Sequence, residues 1–250
     1  MSYAIIRTQK LKTSADIGAS EQHCRRLKND VPNADPELSK NNFELPVMLT
    51  LKKEFGTSSL NGRINEYMEN ENVKMRRKDA VKCIEVMMTA SPEFFEGKNL
   101  KDINEWAETS REFLGRHFSE KNAKLLSIFV HMDEKTPHIH AHIVPTTYDE
   151  KAEGLKLNCR EFLGGPQKMR ELQDTYAKHM RLKYPELERG VERKTTRADH
   201  KTLRNFYQAT ELLEKSGLNP EEVKKYIEEV KKKAGLKKNI STQKSSIIRT

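Results

Sequence analysis

Hydrophobic and polar residues alternate in one short stretch of the chain in a way that is typical of paired β-strands. The apolar run 125–130 predicts a buried strand, and residues 138–144 alternate with a period of two, as in a strand with one covered face. Between them, Lys135-Thr136-Pro137 predicts a turn, because proline fixes its own φ and keeps the preceding residue out of the helical region. The pattern therefore predicts a hairpin-like pair of strands.

Weaker patterns elsewhere predict further elements. Alternation predicts strands at 3–7 and 80–89, whereas residues 151–157 are polar, contain a glycine and are interpreted as a connection. Helical spacing of apolar residues predicts helices at 58–73, 102–118, 167–183, 203–215 and 220–235. In the second of these helices the residues expected to face inward are Ile103, Trp106, Ala107, Ser110, Phe113 and Leu114.

Histidines cluster on the predicted hairpin. Alternate side chains share one face of a strand, so His138, His140 and His142 should project together, with His131 at the end of the preceding strand. Three imidazoles that converge on one cation leave positions open for water or substrate, as in a catalytic metal site. We favour His131, His138 and His140 as ligands, although the pair His140 and His142 satisfies the same spacing. The alternative is a set of surface or hydrogen-bonded histidines.

Composition narrows the class of protein and of partner. The 250 residues are 35% hydrophobic and 33% charged, with a mean hydropathy of −0.84 and no apolar run long enough for a membrane span or a signal peptide. Three widely spaced cysteines fit reduced thiols, so we expect a cytoplasmic protein. The net charge of +9 favours a polyanionic partner, with nucleic acid first and an anionic membrane surface second.

A second candidate site lies near the N-terminus. Residues 20–26 are compatible with a helix on which His23 and Arg26 share a face. Neighbouring arginines disfavour the protonated imidazole, so a neutral and nucleophilic His23 is easier to maintain there. An exposed basic helix is the alternative. The run Arg76-Arg77-Lys78 suits phosphate oxygens, with a solvated turn as its alternative.

Several motifs in consistent order resemble one known family, the Mob/Pre plasmid mobilisation proteins, also called MobV-type relaxases. The resemblance runs from residue 2 to about residue 205. It is carried by Ser2-Tyr3, His23-x-x-Arg26, Asn42-Phe43-Glu44-Leu45, Arg77-Lys78-Asp79-Ala80-Val81, His131-x-Asp133-Glu134-x-Thr136-Pro137-His138-x-His140, Phe162-Leu163-Gly164-Gly165-Pro166 and Glu188-Arg189-Gly190.

The resemblance implies an α/β (α+β type) fold of the HUH class, with a central antiparallel sheet of about five strands flanked by helices. It implies a divalent metal on His131, His138 and His140, and nicking of one DNA strand at an origin of transfer with later rejoining. The family's nucleophile is a histidine in a His-Asn-x-Arg motif, which falls on His23, although Cys24 replaces the asparagine. Glu134 would orient or deprotonate this histidine, and Arg26 would stabilise the anion.

The resemblance also implies cofactor and partners. Manganese is the expected metal, with magnesium or another divalent ion open, since imidazole ligands alone do not choose. Expected partners are single-stranded and hairpin DNA of a transfer origin, and the conjugative coupling machinery. The protein's own promoter and a second copy bound through a longer C-terminal region are further candidates. The candidate DNA contacts are Arg25, Arg76, Arg77, Lys78, Lys194 and Arg197.

Alternatives remain open at this level. A metal-dependent hydrolytic nuclease would use water, and a repressor would bind DNA without cutting it. A replication initiator of the same class would use a tyrosine nucleophile, for which Tyr3 and Tyr67 are available. The predicted domains are a relaxase domain at 1–200, a helical C-terminal extension at 201–235 and a flexible basic tail at 236–250.

Overall fold

The computed structural model describes residues 2–27, 31, 34–47 and 59–190. The predicted helices after residue 200, the basic tail and the predicted domain boundaries lie outside these residues. The fold is mixed, and its strands and helices interleave along the chain. In chain order they are β1 (Ser2–Leu11), α1 (Ser14–Cys24), β2 (Phe43–Glu44), α2 (Leu60–Asn70), β3 (Cys83–Ala90), α3 (Pro92–Phe95), α4 (Leu100–Leu114), β4 (Lys124–His131), β5 (His138–Val144), β6 (Thr146–Asp149), β7 (Gly154–Leu157), α5 (Cys159–Leu163), α6 (Pro166–Arg181) and β8 (Leu187–Arg189).

A six-stranded sheet with the order β2-β4-β5-β3-β1-β8 organises the fold. Its neighbouring strands are antiparallel except for β1 and β8, which run parallel. The predicted hairpin is confirmed as β4 and β5, and it lies in the middle of the sheet rather than at an edge. The mostly antiparallel sheet with flanking helices confirms the expected fold class, with one strand more than the five expected.

One face of the sheet carries the main hydrophobic core. Ile139, Ala141 and Ile143 of β5 are fully buried on this face, as the alternation predicted. Helices α4 and α6 cover it, and the side chains of Trp106 and Tyr176 are fully buried there. All six residues expected to face inward on α4 are buried, which confirms that prediction.

The opposite face is covered only in part. Helix α1 begins with a capping box in which the Thr13 hydroxyl accepts from the Asp16 amide at 3.0 Å, and α1 packs with α2 over one end of this face. A second hydrophobic cluster forms there from Leu11, Ile17, Leu60, Ile64, Tyr67, Val73, Cys83, Leu126 and Val144. The histidines lie on the same face towards its other end. The polar histidine site therefore lies beside the second hydrophobic cluster on this face.

Four short strands, β2, β6, β7 and β8, were not predicted from the sequence. The stretch 151–157 is not a simple connection, because Gly154–Leu157 forms β7 and pairs with β6 in a separate two-stranded sheet. The alternation in β7 is limited to Leu155, Lys156 and Leu157, which is too short a run to indicate a strand. Strand β8 has three residues and depends on its distant partner β1. Helix α4 ends at Leu114, earlier than expected, and continues as a wider π-helical turn to Ser119.

Within the described ranges, no helix has both the length and the apolar character that a membrane crossing requires.

Two leucines of α4 test the assignment of the main core. Leu114 is fully buried and Leu100 is 60% exposed. We expect Leu114→Ala to lower the free energy of unfolding by about 2–5 kcal/mol, because it removes buried methyl groups and leaves a cavity. The matched control Leu100→Ala should change it by no more than about 0.5 kcal/mol. Urea unfolding followed by circular dichroism measures both, and equal effects would contradict the assignment.

Candidate metal centre and active site

The sheet register brings three histidines together. His131 at the end of β4 lies directly opposite His138 at the start of β5, and His140 follows on the same face. The ring centroids of the three imidazoles lie 4.9 to 5.0 Å from one another. The structure thus assembles the three residues that the sequence favoured as metal ligands.

Each of these imidazoles has one nitrogen held by a protein acceptor. His131 donates from Nε2 to the carbonyl oxygen of Cys24 at 2.9 Å. His138 donates from Nδ1 to the carbonyl oxygen of Thr136 at 2.9 Å. His140 donates from Nδ1 to Oε1 of Glu85 at 2.6 Å. Because a carbonyl or carboxylate oxygen only accepts, these bonds fix the tautomers and leave a lone pair on the other nitrogen of each ring.

The three remaining nitrogens have the character of metal ligands. The Nε2 atom of His140 is buried and has no hydrogen-bond partner. The Nδ1 atom of His131 lies 3.3 Å from Nε2 of His138, although both rings donate their proton elsewhere. Two nitrogens bound at about 2.1 Å to one tetrahedral or octahedral cation lie about 3.0–3.4 Å apart. His131 and His138 therefore have the spacing of two ligands of one divalent ion.

His23 lies beside this cluster. It precedes the last residue of α1, and its ring centroid is 5.6 Å from that of His131 and 5.2 Å from that of His140. Burial lowers the pKa of His23, and the neighbouring His140 and Arg26 lower it further. Half-buried His23 is therefore a neutral imidazole near neutral pH, as its basic sequence context predicted.

Arg26 joins α1 to the turn after β4. Its guanidinium makes a bidentate pair with Asp133 at 2.7 and 2.9 Å and also donates to Glu134 at 2.8 Å. The Nη1 atom lies 3.4 Å from Nε2 of His23. Arg26 itself has a φ of +52°, an uncommon conformation for a residue other than glycine. The arginine thus holds the carboxylates and the candidate nucleophile in one arrangement.

Asp133 is a part of the site to which the sequence reading assigned no role. Its fully buried carboxylate also accepts from Ser39 at 2.8 Å and from the Asn42 side chain at 2.7 Å. Burial alone would raise its pKa, but the bonds from Arg26, Ser39 and Asn42 outweigh burial and lower it. The asparagine completes the link, because its Oδ1 accepts from the Met132 amide at 2.7 Å.

Glu134 lies at the edge of the histidine cluster. Its Oε1 is 3.6 Å from Nε2 of His138, and His131, Glu134 and His138 together could hold a metal. Among the described residues, two further groups of this kind are His23, His131 and His140, and Cys24, Glu85 and His142, whereas His131, His138 and His140 do not form one by themselves. The charge of Glu134 raises the pKa of His23 and so opposes burial in part.

Burial keeps the imidazoles of His131 and His138 unprotonated. Burial lowers the pKa of His131 to about 2, with help from His140 and His138. Burial and His140 also lower the pKa of His138. Neutral rings keep their lone pairs, and metal ligation requires the deprotonated form. The unprotonated rings of His131 and His138 are therefore available as metal ligands.

His142 belongs to a different network. Its Nε2 is bonded to the Ser20 hydroxyl at 2.8 Å and its Nδ1 to the Ser127 hydroxyl at 2.8 Å. Burial lowers its pKa to about 4. With both ring nitrogens occupied, His142 supports the wall of the site, and the pairing of His138 with His140 is the better choice of the two that the sequence left open.

Glu85 is a second residue whose role was not predicted from the sequence. Burial opposes its ionisation, but the hydrogen bond and charge of His140 dominate and lower its pKa to about 2. A signal was present, since Glu85 is the single charge in the otherwise apolar and polar-neutral run of β3. A carboxylate inside a predicted strand that pairs with a histidine strand could have been recognised as a partner of an imidazole.

The candidate DNA contacts are spread over the surface. Arg25 stacks over Phe129 at 5.1 Å and contacts Glu21 at 3.1 Å, close to the histidines. The run 76–78 precedes β3 at its Cys83 end, whereas His138 pairs with Thr89 at the other end of β3. Six residues of strand separate the two ends, or about 20 Å. The structure therefore does not bring this run to the metal centre.

The other candidate DNA contacts are paired with carboxylates, exposed or outside the described residues. Arg76 pairs with Asp149, and Arg77 donates from Nε to Asp79 at 2.9 Å, while Lys78 is exposed. Lys194 and Arg197 lie outside the described residues.

The two tyrosines considered as nucleophiles lie elsewhere. Tyr67 is buried in the second hydrophobic cluster, where its hydroxyl is 3.0 Å from that of Thr146. Burial raises its pKa, which disfavours the phenolate. Tyr3 lies at the start of β1, and its amide donates to Ser91 at 2.9 Å. Of the candidate nucleophiles, His23 is the one with direct ring contacts to the histidine cluster.

Fold and site define a mixed α/β protein with a cluster of histidines on one face of its sheet that could hold a metal ion. The chain belongs to the Mob_Pre family of plasmid recombination enzymes, whose family model matches residues 1–208. This confirms the resemblance that the motifs carried.

Relatives and solved structures agree with this assignment. The chain is 32% identical over 213 residues to a plasmid recombination enzyme type 3 of Mammaliicoccus lentus, covering 84% of this chain and 49% of the relative. It is 30% identical over 226 residues to a plasmid recombination enzyme of Streptococcus agalactiae, covering 86% and 42%. The chain spans about half the length of the curated relatives it matches or less.

The structure is also similar to that of the MobM relaxase domain solved with manganese and with plasmid pMV158 origin-of-transfer DNA. The TM-score is 0.67 at 28% identity, over 83% of this chain and 98% of the MobM chain. A MobM complex with a 26-nucleotide strand of the same origin gives a TM-score of 0.59 at 26% identity.

Glu85 provides a test of the metal centre. We expect Glu85→Gln to weaken manganese binding by about 10- to 100-fold, because the charged partner that orients His140 is lost. Glu188→Gln is the matched control, since Glu188 is exposed on β8 and lies opposite Tyr3. Isothermal titration calorimetry with MnCl2 measures both. Wild-type affinity in the Glu85 variant would show that the carboxylate does not support the ligand.

His142 predicts a pH dependence of stability. The pKa of His142 is about 4 in the folded chain and about 6.5 in the unfolded chain. Between these pH values, His142 is protonated in the unfolded chain but not in the folded chain. Folding stability of the metal-free protein should therefore fall as the pH drops from 6.5 towards 4, by up to about 1.4 kcal/mol per pH unit for this group. Urea unfolding across this range should show a shallower decline for His142→Gln, and an identical slope would refute the prediction.

Proposed function

We propose that this chain is a plasmid mobilisation relaxase, which nicks one DNA strand at an origin of transfer by transesterification and later rejoins it. The observation that carries the proposal is a neutral His23 next to three convergent imidazoles. Membership of the plasmid recombination family supports it, as does the similarity to a MobM domain bound to origin DNA.

His131, His138 and His140 would hold the divalent metal of this reaction. Manganese is the proposed ion, since the similar MobM structures contain it, and magnesium is the alternative. When bound, such an ion acts as a Lewis acid that neutralises the charge of the scissile phosphate. The protein's part is to orient the three imidazoles, through hydrogen bonds to Cys24, Thr136 and Glu85.

His23 is the proposed nucleophile. A lone pair on its imidazole attacks phosphorus, the bond from phosphorus to the 3′ oxygen breaks, and the leaving oxygen takes up a proton to become a 3′-hydroxyl. The part of the strand downstream of the nick stays bound to His23 through its 5′ phosphate, as a phosphoramidate. A later attack by a 3′-hydroxyl reverses these bonds and restores the strand, so the reaction consumes no water.

Three further side chains serve His23. Glu134 is the proposed group that orients or deprotonates the imidazole, and it acts from a position 2.8 Å from Arg26. Arg26 stabilises the developing negative charge at phosphorus. Because Asp133 already binds two nitrogens of the guanidinium, the direction of the arginine is fixed before DNA arrives. The pair therefore preorganises the site.

The proposed substrate is single-stranded and hairpin DNA of a transfer origin. Arg25 is the candidate contact near the site, and the other candidates are Arg76, Arg77, Lys78, Lys194 and Arg197. Binding to the protein's own promoter, to coupling machinery and to a second copy stays a prediction from the family resemblance. A cytoplasmic location is part of the same proposal.

Mass spectrometry tests the nucleophile. After incubation with MnCl2 and an oligonucleotide spanning the origin of the chain's own plasmid, we expect a 5′-DNA adduct on His23, because attack leaves the phosphate on the imidazole. His23→Ala should reduce the yield at least 100-fold, about the contribution of a missing catalytic group. Tyr3→Phe and Tyr67→Phe are the controls that should retain it.

Two outcomes would contradict this mechanism. An adduct on a tyrosine would keep the reaction but remove the role of His23. Cleaved DNA without any adduct would indicate a hydrolytic nuclease.

A further inference from the structure

Among the described residues, the side of the sheet next to the candidate metal centre becomes exposed towards β1, where Arg7 lies. Two rows of paired residues cross the sheet on the histidine face, as the strand registers define them. One row runs His131, His138, Thr89 and Ile5, and the other runs Phe129, His140, Met87 and Arg7. Paired residues on neighbouring strands point to the same face, so both rows continue from the histidines onto β1.

Exposure increases along the second row. Phe129 is buried, with the guanidinium of Arg25 5.1 Å above its ring. Met87 is half-buried, and Arg7 at the end of the row is exposed. Side chains next to the candidate metal centre are thus buried on β4 and become more exposed on β3 and β1. A strand of DNA that reaches the metal centre can leave it over this second side.

The accessible side, which we call the open strip, consists of Ile5, Arg7, Met87 and Thr89. Within the described part of the chain, no acidic side chain forms an ion pair with Arg7. On the same face, Glu85 pairs with Gln9 two residues along β1 from Arg7, and the carboxylate of Glu85 has His140 as its partner. Ile5 and Met87 give the strip an apolar surface, and a methionine thioether adapts well to a flat ring.

We propose that the open strip holds the nucleotide next to the scissile phosphate, with its backbone phosphate on Arg7 and its base against Ile5 and Met87. This inference rests on the proposed relaxase function and adds the direction in which the strand leaves the site. Two strand spacings of about 4.8 Å place the Cα atoms of Arg7 and His140 about 10 Å apart. The long arginine side chain covers part of that distance. Such a phosphate contact is independent of base sequence.

Lys10 provides a matched control on the same strand. Its side chain is exposed on the other face of β1, since its partner Ile84 belongs to the main core. Arg7→Ala and Lys10→Ala therefore remove one positive charge each from opposite faces. Arg7→Lys retains the charge and should retain most of the binding.

Fluorescence anisotropy on the full chain with MnCl2 tests the inference. The probes are the 22-nucleotide pMV158 origin strand and an oligothymidylate of the same length. We expect Arg7→Ala to weaken binding to both about fivefold at moderate salt. The slope of log K against log salt should become shallower by about 0.7, the value for one phosphate contact on a single strand. Lys10→Ala should change neither quantity.

A second pair of variants reports on the strip itself. Met87→Glu introduces a negative charge between His140 and Arg7 and should weaken binding at least as much as Arg7→Ala, because it repels the phosphate. Lys10→Glu is its control. Equal effects of the Arg7 and Lys10 variants, or an Arg7 effect confined to one probe, would overturn the inference.

The outcome is separate from that of the proposed function. If the wild-type chain forms the His23 adduct while Arg7→Ala binds like Lys10→Ala, the relaxase stands and the open strip is wrong.

Discussion

The site depends on hydrogen bonds that fix which nitrogen of each histidine carries the proton. His131, His138 and His140 each donate to a different oxygen, namely the Cys24 carbonyl, the Thr136 carbonyl and the Glu85 carboxylate. Without these acceptors, the 3.3 Å contact between His131 and His138 would be an ordinary hydrogen bond. Because these acceptors take the ring protons, Nδ1 of His131 and Nε2 of His138 both carry lone pairs, and the two lone pairs point into the same space. The three acceptors lie at the end of α1, in the turn before β5 and on β3. The arrangement of the histidines therefore depends on elements that are distant along the chain.

Helix α1 links this centre to the candidate nucleophile. The Cys24 carbonyl is one of the free carbonyls at the end of α1, and it accepts from His131. His23 immediately precedes it, so the bond that orients a ligand also sets the position of His23. Arg26 follows in an uncommon backbone conformation and closes the arrangement through Asp133. The candidate metal ligands and the proposed nucleophile are thus parts of one network of contacts.

The sequence predicted those features that depend on short-range pattern. Period-two alternation identified β4 and β5, and the same alternation placed three histidines on one face. Helical spacing identified the buried side of α4. In contrast, β8 consists of three residues whose pairing with β1 spans the described chain, so no local pattern marks it. The roles of Glu85 and Asp133 also depend on long-range contacts, with His140 and Arg26 respectively.

Family motifs added what pattern alone left open, the nucleophile and the reaction. The structure adds the reason that His23 suits this role, which is burial beside His140 and Arg26. It also separates His142 from the ligands, because two serine hydroxyls occupy its nitrogens. The central claim is that three imidazole nitrogens of the protein bind one divalent ion. Pulsed electron paramagnetic resonance of the manganese-loaded chain with ¹⁵N-labelled histidine tests it directly: the account predicts couplings to three directly bound imidazole nitrogens, and a manganese ion without such couplings would contradict it.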